Sequence, residues 1–331
     1  MNHSPETVRA LGLSSGGLDS ILAALVLRNQ GIHVEWISFD TPFFSSESAV
    51  IAGNTWNIPT HTVDITDAYI PMLKAPSQGY GKNMNPCLDC HTLMFNHAGT
   101  WLCENNFDFL FSGEVAGQRP KSQTKSALRF VEKHSGFDGK ILRPLSAKRL
   151  PETPMEVSGL VDRSRLFDFQ GRTRKPQLQL AKELGVTEFP SPAGGCILTE
   201  AVYSNRLRDL FAHVATPQRN DYHLLKFGRH FRLDATTKLV VGRTKADNAA
   251  LRERLTPDRD IVLRMHQLPG PIGILPQATT PDNLKLAAAI CAAYTKAPTG
   301  APAAVMANGP EGQQLIQTTG GDAGSFQTWQ I

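Results

Sequence analysis

Three cysteines and one short glycine-rich run are the residues of this 331-residue chain whose types and spacing could do chemistry. Asn85-Pro86-Cys87-Leu88-Asp89-Cys90-His91 places two thiols three positions apart at an expected helix start, and a third follows in Pro192-Ala193-Gly194-Gly195-Cys196. A helix N-terminus favours thiolate, the form that ligates metal or attacks sulfur, so lowered thiol pKa values are expected. Three thiols fall one short of a closed structural zinc site unless His91 or Asp89 supplies the fourth ligand. They suit first a [4Fe–4S] cluster that keeps one iron open for an exogenous ligand, and second a redox or persulfide pair of Cys90 with Cys196. Cluster, pair and zinc are all compatible with the spacing. Cys103 and Cys291 sit in expected helices and read as core packing.

The glycine-rich run, Ser15-Gly16-Gly17-Leu18-Asp19-Ser20, lies between an expected strand over 8–13 and an expected helix over 21–28. Two glycines let the backbone approach an anion and turn its N–H groups inward. Ser15 and Ser20 add hydroxyl donors, and the helix start adds its positive dipole end. The run lacks the lysine of a G-x-x-x-x-G-K-[ST] loop, so it suits a pyrophosphate rather than an in-line γ-phosphoryl clamp. Asp19 is a poor neighbour for phosphate unless it holds Mg²⁺, and that role is assigned to it.

The elements around these residues set the fold class. Strands are expected over 33–39, 61–65 and 108–112, with a helix over 88–104 carrying the first two thiols. Strands spaced by helices give an α/β fold with a doubly wound, mostly parallel sheet, whose ligands bind at the carboxyl ends of the strands. Residues 1–118 carry 4 Lys/Arg against 11 Asp/Glu, whereas 119–175 carry 14 against 6. The second stretch is punctuated by Pro120, Pro144, Pro151 and Pro154 and reads as an irregular basic insertion that could face a polyanion. The chain thus divides into a nucleotide domain over 1–200, a helical connection over 201–218, a small α/β module over 219–295, and a tail over 296–331 whose Ala, Gly, Pro, Gln and Thr content predicts disorder.

The run SGGLDS resembles the signature of the PP-loop ATP pyrophosphatase superfamily, whose members cleave ATP to AMP and pyrophosphate while adenylating a carbonyl oxygen. The resemblance implies that Ser15, Gly16, Gly17, Asp19 and Ser20 bind ATP and its departing pyrophosphate. It also implies nucleotide contacts from the Ser112-Gly113-Glu114 turn, through Gly113, and from Arg143 in an RPL-like element. The 2-thiouridine synthases of this group carry N-P-D-x-x-C and a distant cysteine. Here Cys87 stands where they have aspartate, and Cys90 and Cys196 match their thiols. The C-x-x-C plus distant C pattern is similar to that of iron–sulfur-dependent tRNA thiolases, which implies a [4Fe–4S] cluster on Cys87, Cys90 and Cys196. The region over 219–295, where aromatics alternate with cations, resembles a compact NFACT-R-like RNA-binding module fused to some thiouridine synthases.

The expected activity is ATP-dependent tRNA thiolation with ATP, Mg²⁺ and the cluster as cofactors, and with Cys87, Cys90, Cys196 and Asp19 as catalytic residues. No THUMP or rhodanese-type domain is recognised, so sulfur is expected from an external donor, sulfide or a cysteine desulfurase. RNA contact is expected from Arg119, Lys121, Arg172, Arg174 and Lys175, where Gly and Pro flank clustered cations and amides. Two other readings keep the ATP loop: an adenylating ligase or amidotransferase acting on a small molecule, and an ATP- and RNA-binding iron–sulfur sensor without turnover. No apolar run is long enough to span a membrane and no signal peptide is recognised, so a cytoplasmic protein is expected.

Overall fold

Apolar runs, each handed on to a helix-forming segment, build a parallel sheet in the first of two units, Met1–Thr199. The structure is a computed structural model and describes residues 7–191 and 195–331. Strands β1 (Arg9–Leu13), β2 (His33–Asp40), β3 (Thr60–Asp64), β4 (Phe109–Ser112) and β5 (Ile141–Leu142) pair in parallel in the order β3-β2-β1-β4-β5. They alternate with α1 (Leu18–Arg28), α2 (Glu47–Trp56), α3 (Thr66–Lys74), α4 (Cys87–Glu104) and α5 (Lys125–His134), followed by α6 (Pro154–Val157) and α7 (Lys175–Glu183). The α/β, doubly wound expectation holds for this unit. Burial of Leu22, Leu27, Trp36, Phe109 and Phe111 forms its core, and α7 packs beside α1.

The strand order fixes where a ligand can enter. β1 pairs with β2 on one side (Leu13↔Ile37) and with β4 on the other (Leu13↔Ser112). The chain winds outward in opposite directions from β1 and β4, so their carboxyl ends diverge into a crevice. The loop over 14–17 and the turn over 112–114 both open into it.

The basic stretch is not an irregular insertion. Thr124 caps α5 by accepting from the Ala127 N–H, and β5 then extends the sheet through Leu110↔Ile141 and Phe111↔Leu142. Two buried strand residues between proline-rich segments are too short a signal for periodicity to register.

The second unit, Glu200–Ile331, opens with α8 (Ala201–His213) and α9 (Arg219–Leu224). It then forms β6 (Arg229–Arg232), β7 (Lys238–Val241), α10 (Lys245–Glu253), β8 (Asp260–Met265), β9 (Ile272–Pro276), α11 (Pro281–Ala293), β10 (Pro302–Gly309) and β11 (Gly312–Thr319). The six strands make an antiparallel sheet in the order β11-β10-β8-β9-β7-β6. One core holds Phe231, Leu263, Ile290 and Val305, and the other holds Val240, Leu251 and Ile274, so α11 and α10 take different faces of the sheet.

The expected disordered tail is therefore wrong: 302–319 is a hairpin whose first strand lies inside the sheet, paired with β8. Ala303, Val305 and Ala307 point inward and the residues between them are less buried, a period-2 pattern that small side chains conceal from a composition count. Beyond it, the Ile331 N–H donates to the His230 carbonyl and Trp329 packs on the core.

Candidate active site

Backbone geometry dominates at the phosphate loop. Gly16 has φ +72, and a Cβ there would come within 2.2 Å of the Ser48 carbonyl oxygen, so no other residue fits without moving α2. The Gly16 N–H donates to Ser14 Oγ and the Ser15 N–H to Ser20 Oγ, which curls the loop over the start of α1. Gly17 is the N-cap and supplies no side-chain cap, so the first turn of α1 presents its N–H groups to the crevice. Gly113, at the end of β4, closes against this turn: a Cβ on it would lie 2.4 Å from the Asp19 carbonyl carbon.

Asp19 stands at the mouth of the loop. Burial raises its pKa above the usual carboxylate value, against the hydrogen bond from Gln118 and the opposing charges of Arg174 and Arg119. Gln118 Nε2 donates to Asp19 Oδ2 at 2.9 Å, while Oδ1 has no partner. Arg119 and Arg174, expected to face RNA, thus lie within electrostatic reach of the phosphate loop. Lys121, Arg172 and Lys175 are exposed.

A buried ion network links the loop to the thiols. Glu114 Oε2 accepts from Ser112 Oγ and from Arg143 Nε, both at 3.0 Å, and Oε1 lies 2.9 Å from His91 Nδ1. Burial alone would raise the Glu114 carboxyl, but the Arg143 guanidinium and His91 outweigh it and hold the pKa down at about 2. Arg143 spends its remaining nitrogens on Glu132 and the Leu128 carbonyl. It is 3% exposed, and its charge is met in the interior by Glu114 and Glu132.

His91 is the residue after Cys90, whose thiol meets Tyr69, and Cys87 and Cys196 lie within electrostatic reach of both. The Tyr69 hydroxyl donates to Cys90 Sγ at 3.5 Å, and this phenol feels the charge of all three thiols if they ionise. Asn85 Nδ2 donates to Cys87 Sγ at 3.2 Å. Asn83 Nδ2 donates to the Thr199 carbonyl at 2.6 Å, tying the segment before α4 to the turn that carries Cys196. Residues 192–194 of that turn lie outside the described residues.

Cys90 is not the acidified thiol expected at a helix start. Burial pushes Cys90 up to about 12, with Cys196 and Cys87 adding repulsion, and burial likewise raises Cys196. Desolvation of the thiolate outweighs the helix dipole here.

The side chains around them favour a three-thiol site. Asp89 is committed to the Ser77 and Gln78 N–H groups and His91 to Glu114, so neither is directed at the sulfurs. Among the described residues no group of three or more His, Cys, Asp or Glu is arranged to hold a single metal ion. A [4Fe–4S] cluster asks for something different, three sulfurs each on its own iron. Cys87, Cys90 and Cys196 are each half-buried, and burial makes Cys90 and Cys196 costly to ionise. Of the other cysteines, Cys291 is in the core as expected, whereas Cys103 is exposed.

Sequence reasoning did not single out Tyr69, Asn85, Gln118 or Gln177 as site residues. The two glutamines stood inside the basic runs as adjuncts to cations. Tyr69 carries no local signal, because its contact with Cys90 appears only when α3 and α4 meet, whereas Asn85 lies two residues from Cys87 in the motif that the sequence displays.

The family profile described as the NFACT protein RNA binding domain matches residues 228–330. No curated protein matches the chain. Among solved structures, it is similar to NMN synthetase from Francisella tularensis at 16% identity, covering 66% of this chain and 84% of that one with a TM-score of 0.36. It is similar to a 4-thiouridine synthetase in complex with RNA and bound ATP at 18% identity, covering 54% and 52% with a TM-score of 0.33. It is also similar to the C-terminal part of a fibronectin/fibrinogen-binding protein from Streptococcus suis at 13% identity, covering 47% and 72% with a TM-score of 0.28. At these scores the fold class rests on strand order and register alone. No helix among the described residues is long and apolar enough to cross a membrane.

Proposed function

We propose that this protein is an ATP-dependent tRNA thiolation enzyme of the PP-loop type. The observation that supports the reading is the continuous path from Asp19 through Gly113 and Glu114 to His91 beside Cys90, which runs from the loop at the carboxyl end of β1 to the first turn of α4. A small-molecule ligase has no use for the thiols or for an RNA-binding module. The match of residues 228–330 to an RNA-binding domain supports an RNA substrate.

In this reading the loop over 15–20 holds the β- and γ-phosphates of ATP through backbone N–H groups, and Asp19 holds Mg²⁺. A uridine carbonyl oxygen attacks the α-phosphorus, an O–P bond forms, and the bond to pyrophosphate breaks. A sulfur nucleophile then adds to the activated carbon and the C–O bond breaks, releasing AMP. Adenylation matters because oxide is a very poor leaving group. The loop acts by placing the phosphates and stabilising charge on the departing pyrophosphate.

Cys87, Cys90 and Cys196 would hold a [4Fe–4S] cluster, which when bound offers an open iron for exogenous sulfide. The Asn85 and Tyr69 donors would orient the first two sulfurs. Sulfide or a cysteine desulfurase supplies the sulfur, and exposed Lys121, Arg172 and Lys175 offer contacts for tRNA phosphates. The deciding experiment is nucleoside mass spectrometry of tRNA incubated anaerobically with the protein, ATP, Mg²⁺ and sulfide. Thiouridine formation supports the proposal, and ATP cleavage without any sulfur in the tRNA rejects it.

A further inference from the structure

Gln177, in the first turn of α7, is 0% exposed and neither its Nε2 nor its Oε1 completes a hydrogen bond. Leaving a buried amide unmatched at both ends is costly, and such orphans in a folded protein call for a ligand or a role. Gln177 does not stand alone. It lies against Asp19, near enough to favour the ionised carboxylate. Asp19 Oδ1 and Gln118 Oε1 are orphaned at the same place. Three oxygens and one N–H donor are therefore unmatched in the interior around Asp19, with Arg119 and Arg174 close by in charge.

We infer that Gln118 and Gln177 are ligand-binding residues for a divalent cation and the diphosphate it carries. Asp19 Oδ1, Gln118 Oε1 and Gln177 Oε1 face the cation, and Gln177 Nε2 donates to a phosphate oxygen. The assignment gives all four orphaned atoms a partner. It also suits a hard cation that takes few protein ligands and completes its shell with phosphate and water. One carboxylate with two neutral amides adds a single negative charge, so the site does not repel the incoming diphosphate as a second carboxylate would. The arginines balance the rest of its charge.

The inference rests on reading residues 15–20 as a pyrophosphate loop, and one titration separates the two. Inorganic pyrophosphate is titrated calorimetrically into the full-length protein, with magnesium chloride and then with the metal chelated, alongside melting curves. In Gln177→Leu, magnesium-dependent affinity should fall about tenfold or more, the worth of one charge-assisted contact. The melting temperature should hold or rise, because an unmatched polar group has left the interior. Gln118→Leu should show the same loss and decides the question if the first variant does not fold. Wild-type affinity in a folded variant overturns the inference and leaves the loop reading intact. Absence of magnesium-dependent binding by the unaltered protein overturns both.

Discussion

The two halves of the candidate site are built by opposite means. The phosphate loop is mostly local: a few consecutive residues between β1 and α1 carry the glycines, the hydroxyls and the helix start, while Gly113, Gln118 and the Ser48 carbonyl reach in from elsewhere. The thiol group is non-local. Cys87 and Cys90 come from the first turn of α4, Cys196 from a turn far along the chain, and their donors from α3 and the segment before α4. The loop uses backbone dipoles that folding orients at little cost. The thiols are half-buried side chains, and burial penalises ionisation of Cys90 and Cys196 until they gain a partner. Local sites tolerate change around them, whereas non-local sites fail when one distant member is lost.

That contrast can be broken by mutation. The largest effect should come from Cys90→Ala or Cys196→Ala, which should abolish sulfur insertion and iron binding yet leave ATP binding intact. Loss of ATP binding in these variants would show that the two halves are not separable. Next is Glu114→Gln, which takes from buried Arg143 one of its two carboxylate partners and should cost about 1.5–3 kcal/mol in a denaturant titration. It should disturb both halves, since Glu114 joins them. Its pKa is depressed from 4.5 to about 2, so its contribution is full above about pH 4.5 and is lost as pH falls through 2. An acid-unfolding profile that is identical in wild type and variant would contradict the network.

Asp19→Asn should lower the rate of pyrophosphate release about a hundredfold while keeping the thiols' iron content, as removal of one charge-stabilising group does elsewhere. The smallest effect tests the second unit. Val305→Ala, in the strand that composition hid, should destabilise by about 2 kcal/mol. A melting curve indifferent to it would return the tail to disorder.

The sequence was most informative where the signal was short-ranged. Strand positions in the parallel sheet, the Gly16 turn and the Cys87 helix start all follow from neighbouring residue types. It failed where partners are distant or small. β5 is two residues long, β10 packs alanines where large apolar side chains would advertise a strand, and Arg143 reveals its ion pairs only after β4 and α5 meet. The thiol pKa expectation erred for a related reason: a helix dipole can be read from spacing, but the burial that outweighs it cannot.

The most direct test is a single-turnover reaction of the full-length protein, purified without oxygen, with radiolabelled ATP, unmodified tRNA and sulfide. AMP and thiouridine should appear in equal amounts, and Cys196→Ala should release AMP while inserting no sulfur. Undiminished thiouridine from that variant would contradict a shared centre of phosphate loop and thiols.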